Sequence, residues 1–199
     1  MPNEEYAIVL DYLPRGKSSS FKTEQLAQLL GTEFFSLLEV VPKKELKIGS
    51  KVYIGPEVRD EIALIKRRIP YKELTPTAAG ELGQNVEKIV MENEKKFVDF
   101  YNHSIPITIR RHQLELLPGV GPKHVKTLLD ERQRKPFESF KELSDRVPAL
   151  PNPSRAIVKR VMQELEFDDE KHYVFCRPPP KEKPRFERSF ERGPGRERQ

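Results

Sequence analysis

The residues that could do chemistry are concentrated in one short stretch, residues 116–126, where two glycines and two prolines interrupt an apolar pattern. Leucines before the interruption and aliphatic residues after it recur at helical spacing, which predicts two short helices joined by a tight bend. Gly119 and Gly121 permit backbone conformations that other residues avoid. Pro122 suits the first position of the second helix, so we expect that helix to begin there.

The start of this second helix is predicted to bind an anion. Its first N–H groups have no partner within the helix, and the positive end of the helix dipole lies behind them. Two lysines follow one turn apart. The expected ligand is a phosphate group, and the candidate phosphate-binding residues are Gly119, Val120, Gly121, Lys123, His124 and Lys126.

The stretch resembles the helix-hairpin-helix motif, whose pattern is hydrophobic-Pro-Gly-hydrophobic-Gly-x-Lys followed by a helix. Gly119, Val120, Gly121 and Lys123 match the pattern, whereas Val125 stands where a small residue is common. The resemblance implies binding to the nucleic-acid backbone without reading of base sequence, and it does not separate DNA from RNA. An ordinary helical hairpin with a glycine-containing turn is the alternative.

Composition and charge restrict the classes of protein to be considered. The 199 residues suffice for two small domains. A single cysteine, Cys176, excludes a disulfide framework and a cysteine zinc cluster within one chain, and we predict no metal and no cofactor. No apolar run approaches the roughly 20 residues of a membrane span, and the first residues do not resemble a signal peptide. A cytoplasmic protein is expected.

The net charge of +5 is unevenly distributed. Residues 177–199 contain eight basic side chains and four glutamates, so the first 176 residues are close to neutral. Any basic surface on the folded part must therefore be local. The 177–199 segment has too few large apolar residues to fold alone, and we predict a disordered Pro/Arg-rich tail that either contacts nucleic acid or only aids solubility.

Residues 1–74 predict a small antiparallel β-barrel, with strands over 6–13, 34–41, 51–54 and 61–69 and an ambiguous segment over 21–30. The favoured fold is OB-like, a form that binds single-stranded nucleic acid through one open face. The candidate contacts on that face are Arg15, Lys17, Lys43, Lys44, Arg67, Arg68 and Tyr53, and the candidate stacking platforms are Tyr12, Phe34, Phe35, Tyr53 and Tyr71. The alternative for each aromatic residue is core packing, and the alternative for each cation is a solvated surface charge.

Residues 75–176 predict an all-helical domain, so the expected fold class is α+β. One long helix is predicted after Thr75 and Pro76, with its regular part beginning near Gln84. The helix-hairpin-helix is expected over about 110–131, and a degenerate second copy over about 137–165. The second copy lacks both glycines, and either it is structural or Arg155, Lys159 and Arg160 contact backbone. A last short strand is predicted over 173–176.

An enzymatic alternative follows from the same bend. Base-excision glycosylases of the helix-hairpin-helix class carry a similar run in which the lysine is a Schiff-base nucleophile, and Lys123 matches that position. Their catalytic aspartate lies about twenty residues further on. Lys141, Glu142 and Leu143 stand there in this chain, and Asp145 has a different context. This departure disfavours an enzyme.

Three longer blocks, residues 6–14, 37–44 and 112–121, are similar to an archaeal family designated domain of unknown function 655, described as predicted RNA-binding proteins. The resemblance extends over about residues 5–176. It implies an archaeal cytoplasmic protein and favours RNA over DNA. The leading hypothesis is a non-enzymatic RNA-binding protein. The alternatives are a protein-interaction scaffold, which a large apolar patch on 137–165 would favour, and a DNA-binding or DNA-repair protein.

Overall fold

The computed structural model describes residues 4–16, 24–167 and 171–178. Its N-terminal part is a five-stranded antiparallel sheet in the order β4-β1-β2-β3-β5. The strands are β1 (Tyr6–Leu13), β2 (Leu26–Gly31), β3 (Leu37–Pro42), β4 (Lys51–Tyr53) and β5 (Ile62–Arg68). The four predicted strands are therefore confirmed. The ambiguous 21–30 segment supplies the fifth strand rather than a helix.

Strand β2 is held in place by a buried polar residue as well as by its leucines. The Gln28 side chain donates to the Glu73 carbonyl (2.9 Å) and accepts from the Thr75 N–H (2.8 Å). These two hydrogen bonds join the sheet to the start of the first helix. The leucine spacing in this segment is compatible with a helix, and pairing with β1 and β3 makes it a strand instead.

Both faces of the three central strands, β1, β2 and β3, are buried. Ala7, Val9 and Leu29 belong to one apolar cluster, enclosed by the curled sheet. Ile8, Leu10 and Leu30, on the opposite face, belong to a second cluster that includes the helices. Strands buried on both faces read as nearly continuous apolar runs, which explains why the sequence is so apolar here. The expectation of an open barrel face is therefore wrong for β1–β3.

Two helices follow the sheet, where one long helix was expected. Helix α1 (Pro76–Glu92) begins at Pro76 with Thr75 as its N-cap, as predicted, and it is regular from its first turn rather than only from near Gln84, because the Thr75 hydroxyl accepts from the Ala78 N–H. Helix α2 (Glu94–His103) follows after Asn93, whose side chain donates to the Ile89 carbonyl (2.8 Å). This side-chain hydrogen bond to the last turn of α1 lies at the position where α1 ends and α2 begins.

The part expected to be all-helical also contains a small β-hairpin, β6 (Pro106–Thr108) and β7 (Arg111–His112). A 3₁₀ helix over Gln113–Leu116 leads from β7 to the bend, where an α-helix was predicted. Helices α3 (Pro122–Arg134), α4 (Phe140–Arg146) and α5 (Pro153–Glu166) complete the fold. Among the described residues, no helix has the length and apolar character needed to cross a membrane.

The predicted strand over 173–176 is absent from the described residues, and a side chain takes the place of a strand partner. The Glu164 carboxylate on α5 accepts from the backbone N–H groups of Val174, Phe175 and Cys176 at 2.8–3.0 Å. Its Oε1 atom also accepts from Nε of Arg160 (2.8 Å). The carboxylate thus anchors the last described segment. The predicted disordered tail lies outside the described residues beyond Pro178.

The boundary predicted near residue 74 separates the sheet from the helices along the chain. One hydrophobic core nevertheless contains residues from both parts. Ile8, Leu30 and Leu37 of the sheet share a cluster with Leu82 and Ile157 of the helices. The sheet therefore positions the helical part that carries the bend.

Candidate phosphate-binding bend

The bend between the 3₁₀ helix and α3 has a backbone shape that requires glycine at one position. Gly119 has φ of +85°, and a Cβ atom there would lie 2.9 Å from Cγ of Pro151. Gly121 has φ of −104°, an extended conformation open to any residue. The first bend thus lies directly against the second bend, which precedes α5. This proximity brings the two halves of the predicted tandem motif together.

Only some of the backbone N–H groups at the bend are available to a ligand. Val120 is buried and its N–H donates to the Leu117 carbonyl (3.0 Å), while the Gly121 N–H donates to Nδ1 of His124 (3.2 Å). The expectation of wholly unbonded amides is therefore wrong for these two residues. Within the described part of the chain, the N–H groups of Gly119, Lys123 and His124 have no acceptor.

The lysines of α3 lie beside these free amides. Lys123 and Lys126 are exposed on the first turns of the helix, and neither is ion-paired with an acidic side chain among the described residues. The half-buried His124 ring uses Nδ1 to accept the Gly121 N–H, which leaves Nε2 as a donor. Three backbone N–H groups, two ammonium groups and one ring N–H are thus available at the bend.

The structure adds two arginines that the sequence reasoning missed. Arg110 and Arg111, at the tip and in β7 of the hairpin, are exposed. Strand β7 contacts the 3₁₀ helix, which in turn contacts α3, and four 3₁₀ residues advance the chain by only about 8 Å. A signal was present in the sequence, because residues 100–114 contain no Asp or Glu in a chain that is 34% charged.

The one carboxylate between this hairpin and the bend is already engaged. Glu115 is half-buried and accepts from the His112 N–H (2.6 Å). In return Nδ1 of His112 accepts from the Leu114 N–H (3.2 Å), and burial together with nearby Arg132 lowers the pKa of His112. Residues 100–129 therefore present exposed cations to solvent without an equally exposed carboxylate.

The second bend differs from the first in how its helix start is satisfied. The Asn152 side chain accepts from the Arg155 N–H (3.0 Å) and from the Ser154 hydroxyl (2.9 Å). This cap occupies the position that a phosphate would take. Arg155 itself is exposed. Arg160 is buried against Glu164, so the prediction that it contacts backbone is wrong.

Most of the cations proposed for the barrel face have internal partners. Nζ of Lys43 donates to the Arg59 carbonyl (2.5 Å), and Nζ of Lys44 lies 3.3 Å from Glu61. Arg67 is paired with Glu73. Arg15 is exposed in the turn after β1, and Lys17 lies outside the described residues. Arg68, at the end of β5, donates to two carbonyls of the C-terminal segment.

The proposed aromatic platforms are mostly engaged in packing. Phe35 is fully buried in the main core, and the ring of Tyr53 packs edge-on against Tyr6 with centroids 5.4 Å apart. Tyr12 and Tyr71 are partly buried against the two apolar clusters. Phe34 is half-exposed between the cations of Lys96 and Arg177. The prediction for Phe35 is wrong, because a bulky side chain at that position fills the core.

The lysine and the aspartate considered for the glycosylase alternative are both exposed to solvent. Lys123 is exposed on α3 and Asp145 is exposed on α4, whereas a Schiff-base lysine works in a desolvated site. No group of three or more His, Cys, Asp or Glu side chains in the described ranges is arranged to hold a metal ion. The backbone carbonyl of His172 accepts from Arg160.

Comparison with known proteins gives consistent matches. The sequence model of DUF655, described as a protein of unknown function, matches residues 3–177. The uncharacterized protein MJ0038 of Methanocaldococcus jannaschii is 43% identical over 177 residues, which cover 87% of this chain and 80% of that protein. The crystal structure of Af1531 from Archaeoglobus fulgidus, also assigned to DUF655, is similar with a TM-score of 0.78 at 42% identity. That match covers 87% of this chain and 100% of the solved one.

Proposed function

This chain belongs to the DUF655 family, and on that premise we propose that it is a non-enzymatic nucleic-acid-binding protein that grips phosphate backbone at the bend before α3. The observation that carries the proposal is the combination at one bend of three free N–H groups with exposed Lys123 and Lys126. A helix start with free N–H groups and adjacent cations is suited to phosphate oxygens.

The distribution of charge around the bend supports the same function. The hairpin arginines Arg110 and Arg111 precede the bend, and Arg155 begins the helix that follows the neighbouring bend. Gly119 and Pro151 place the two bends in contact. Cations on three consecutive elements can neutralise several phosphates along one backbone, and that electrostatic gain supplies most of sequence-independent affinity.

We assign the sheet a supporting role in this function. A curled five-stranded antiparallel sheet with an apolar interior is typical of the OB-fold, a partly open five-stranded barrel. The face that such a barrel would offer to a single strand is covered by helices here. We therefore propose an OB-like scaffold that orients the bend, with Arg15, which is exposed in the turn after β1, as a secondary contact.

We favour RNA over DNA on the family resemblance alone, because the phosphate groups that the bend would contact are common to both backbones. A protein-interaction scaffold has less support. The exposed large apolar side chains of the described residues do not lie on 137–165, and Ile105 and Ile109 of the hairpin lie beside the arginines instead. An isoleucine tip flanked by cations suits contact with bases at a nucleic-acid groove.

The test is a salt titration of affinity with a matched pair of charge reversals. Fluorescence anisotropy with a labelled RNA hairpin, and with a DNA duplex of the same sequence, is measured from 50 to 300 mM salt. For four phosphate contacts the slope of log affinity against log salt should be about −3.6. Lys123→Glu should weaken binding at least about tenfold for every sequence and flatten the slope by about one contact.

The control for this variant is Lys88→Glu, which makes the same charge change on the exposed face of α1. It should alter affinity by less than about twofold, because screened charges far from the contact contribute little. An equal loss of affinity in Lys123→Glu and Lys88→Glu would show that binding depends on net charge and not on contacts at the bend. An affinity that does not vary with salt would refute backbone binding.

A further inference from the structure

The β-hairpin of β6 and β7 ends in a turn that places an apolar side chain in solvent. Thr108 pairs with Arg111 across the hairpin, so Ile109 and Arg110 are the two residues of the turn. Ile109 has the most exposed large apolar side chain in the described part of the chain, and Ile105, at the base of the hairpin, is 61% exposed. Single exposed apolar residues are common on protein surfaces, so the surroundings of this tip decide whether it can bind a ligand.

Hydrogen bonds fix the tip and the base of the hairpin. At the tip, the Thr108 hydroxyl accepts from the Arg110 N–H (3.3 Å). At the base, the Gln113 N–H donates to the Ile105 carbonyl (3.1 Å), and the Ile105 N–H donates to Oε1 of Gln113 (2.9 Å). Gln113 is the first residue of the 3₁₀ helix that leads to the bend, so the hairpin is attached directly to that helix.

The hairpin is also attached to α3, the helix that begins at the bend. Nη1 of Arg132 on α3 donates to the carbonyls of Tyr101 and Ser104, both at 3.0 Å. Ser104 is buried and immediately precedes the exposed Ile105. Because α3 carries Lys123 in its first turn, these contacts hold the apolar tip and the bend in one fixed arrangement.

The charge around the tip is positive. Arg110 and Arg111 are exposed beside Ile109. Residues 100–114 contain no Asp or Glu, and the Glu115 carboxylate that follows is already hydrogen-bonded. An apolar tip bordered by cations is complementary to a ligand in which anionic oxygens flank an apolar surface. A double helix has this pattern, because its phosphates flank the stacked faces of its bases.

We propose that Ile109 is a wedge that enters the base stack of a double helix at an unpaired nucleotide, while Arg110 and Arg111 contact the adjacent phosphates. This inference rests on the proposed function, because the bend must hold the backbone for the tip to reach the bases. Apolar side chains, isoleucine among them, unstack base steps in this way in nucleic-acid-binding proteins.

The class of ligand follows from the free energy needed to unstack bases. Insertion between two intact base pairs must break their stacking, whereas a bulged nucleotide leaves the step partly open before the protein binds. In double-stranded RNA the minor groove is wide and shallow, so the tip of a hairpin can reach the bases there. The preferred ligand is therefore double-stranded RNA interrupted by a bulged nucleotide, rather than a fully paired helix.

The experiment compares two RNA duplexes of the same sequence, one fully paired and one with a single bulged adenosine, by fluorescence anisotropy with the full chain. The wild type should bind the bulged duplex at least about tenfold more tightly, because less stacking has to be broken. With 2-aminopurine placed next to the bulge, binding should also raise the fluorescence of that base, since 2-aminopurine emits more strongly when it is unstacked.

The test variant is Ile109→Ala. It should reduce the preference for the bulged duplex to below about threefold and remove most of the fluorescence rise, because alanine buries much less apolar surface between the bases. Its affinity for the paired duplex should stay within about twofold of the wild type, with the same salt dependence, since no charge is removed. The side chain is exposed, so the stability of the protein should not change.

The matched control is Val58→Ala, which shortens another exposed aliphatic side chain, in the loop between β4 and β5. It should keep the full preference for the bulged duplex. A preference that survives in Ile109→Ala, or one that Val58→Ala loses equally, would show that the tip does not contact the bases.

Failure of the wedge can be told apart from failure of the proposed function. Salt-dependent binding with equal affinity for the two duplexes would overturn the wedge and leave backbone binding intact. Absence of salt-dependent binding to either duplex would overturn both. Wild-type protein that sediments as a dimer, with Ile109→Ala a monomer, would assign the tip to a contact between two copies of the chain and overturn the inference.

Discussion

Replacing Gly119 by alanine should destabilise the protein and weaken its binding to nucleic acid together. The residue has φ of +85°, where the backbone conformation costs other residues about 1–2 kcal/mol. A new Cβ atom would also lie 2.9 Å from the rigid ring of Pro151, and overpacking of this kind costs about 1–3 kcal/mol. We therefore expect the free energy of unfolding to fall by about 2–5 kcal/mol.

The matched control is Gly80→Ala, which makes the same chemical change inside α1. A Cβ atom there meets nothing within 4 Å, and glycine inside a helix costs about 0.5–1 kcal/mol relative to alanine. This variant should therefore gain stability by about that amount. The two glycine substitutions are expected to have opposite signs.

Urea unfolding followed by circular dichroism measures both changes, and anisotropy with the RNA hairpin measures the effect on binding. Gly119→Ala should lower the urea midpoint and the affinity, and Gly80→Ala should raise the midpoint without changing the affinity. A Gly119→Ala protein as stable as the wild type would show that the bend does not hold the described shape. A destabilised Gly119→Ala protein with unchanged affinity would show that the bend does not contribute to nucleic-acid binding.

Three further predictions concern buried groups. Glu164→Ala should lower the free energy of unfolding by about 3–5 kcal/mol in urea titrations, because it removes the carboxylate that faces buried Arg160 and accepts three backbone N–H groups; Glu87→Ala on exposed α1 surface should change it little. The pKa of His112 is lowered in the native state, so the free energy of unfolding should fall as pH drops below the ordinary value of about 6.5. His112→Asn, which retains an acceptor, should remove that part of the pH dependence, and an unchanged profile would contradict the assignment. Burial raises the pKa of Cys176 well above its usual range, so a thiol reagent at neutral pH should label it rapidly only in urea; rapid labelling of the native protein would contradict its burial.

Local features of the sequence were sufficient for much of the fold. The apolar runs over 6–13 and 34–41 predict strands, and consecutive residues of β1 and β3 are indeed buried on both faces of the sheet. Thr75 with Pro76, and Gly121 with Pro122, predict helix starts because capping depends on neighbours a few residues apart. The presence of a bend before α3, and the positive φ that Gly119 adopts there, follow from the same short-range rules.

The tertiary structure decided which of those local possibilities serve a ligand. Residues 113–116 form a 3₁₀ helix because His112 and Glu115 satisfy its first turn beside the hairpin. Arg160 and Arg155 lie on one helix, yet Glu164 buries the first and the second stays in solvent. Spacing along the chain specifies the face of an element on which a residue lies. What covers that face depends on residues distant in sequence, and so does the exposure of the free amides at the bend.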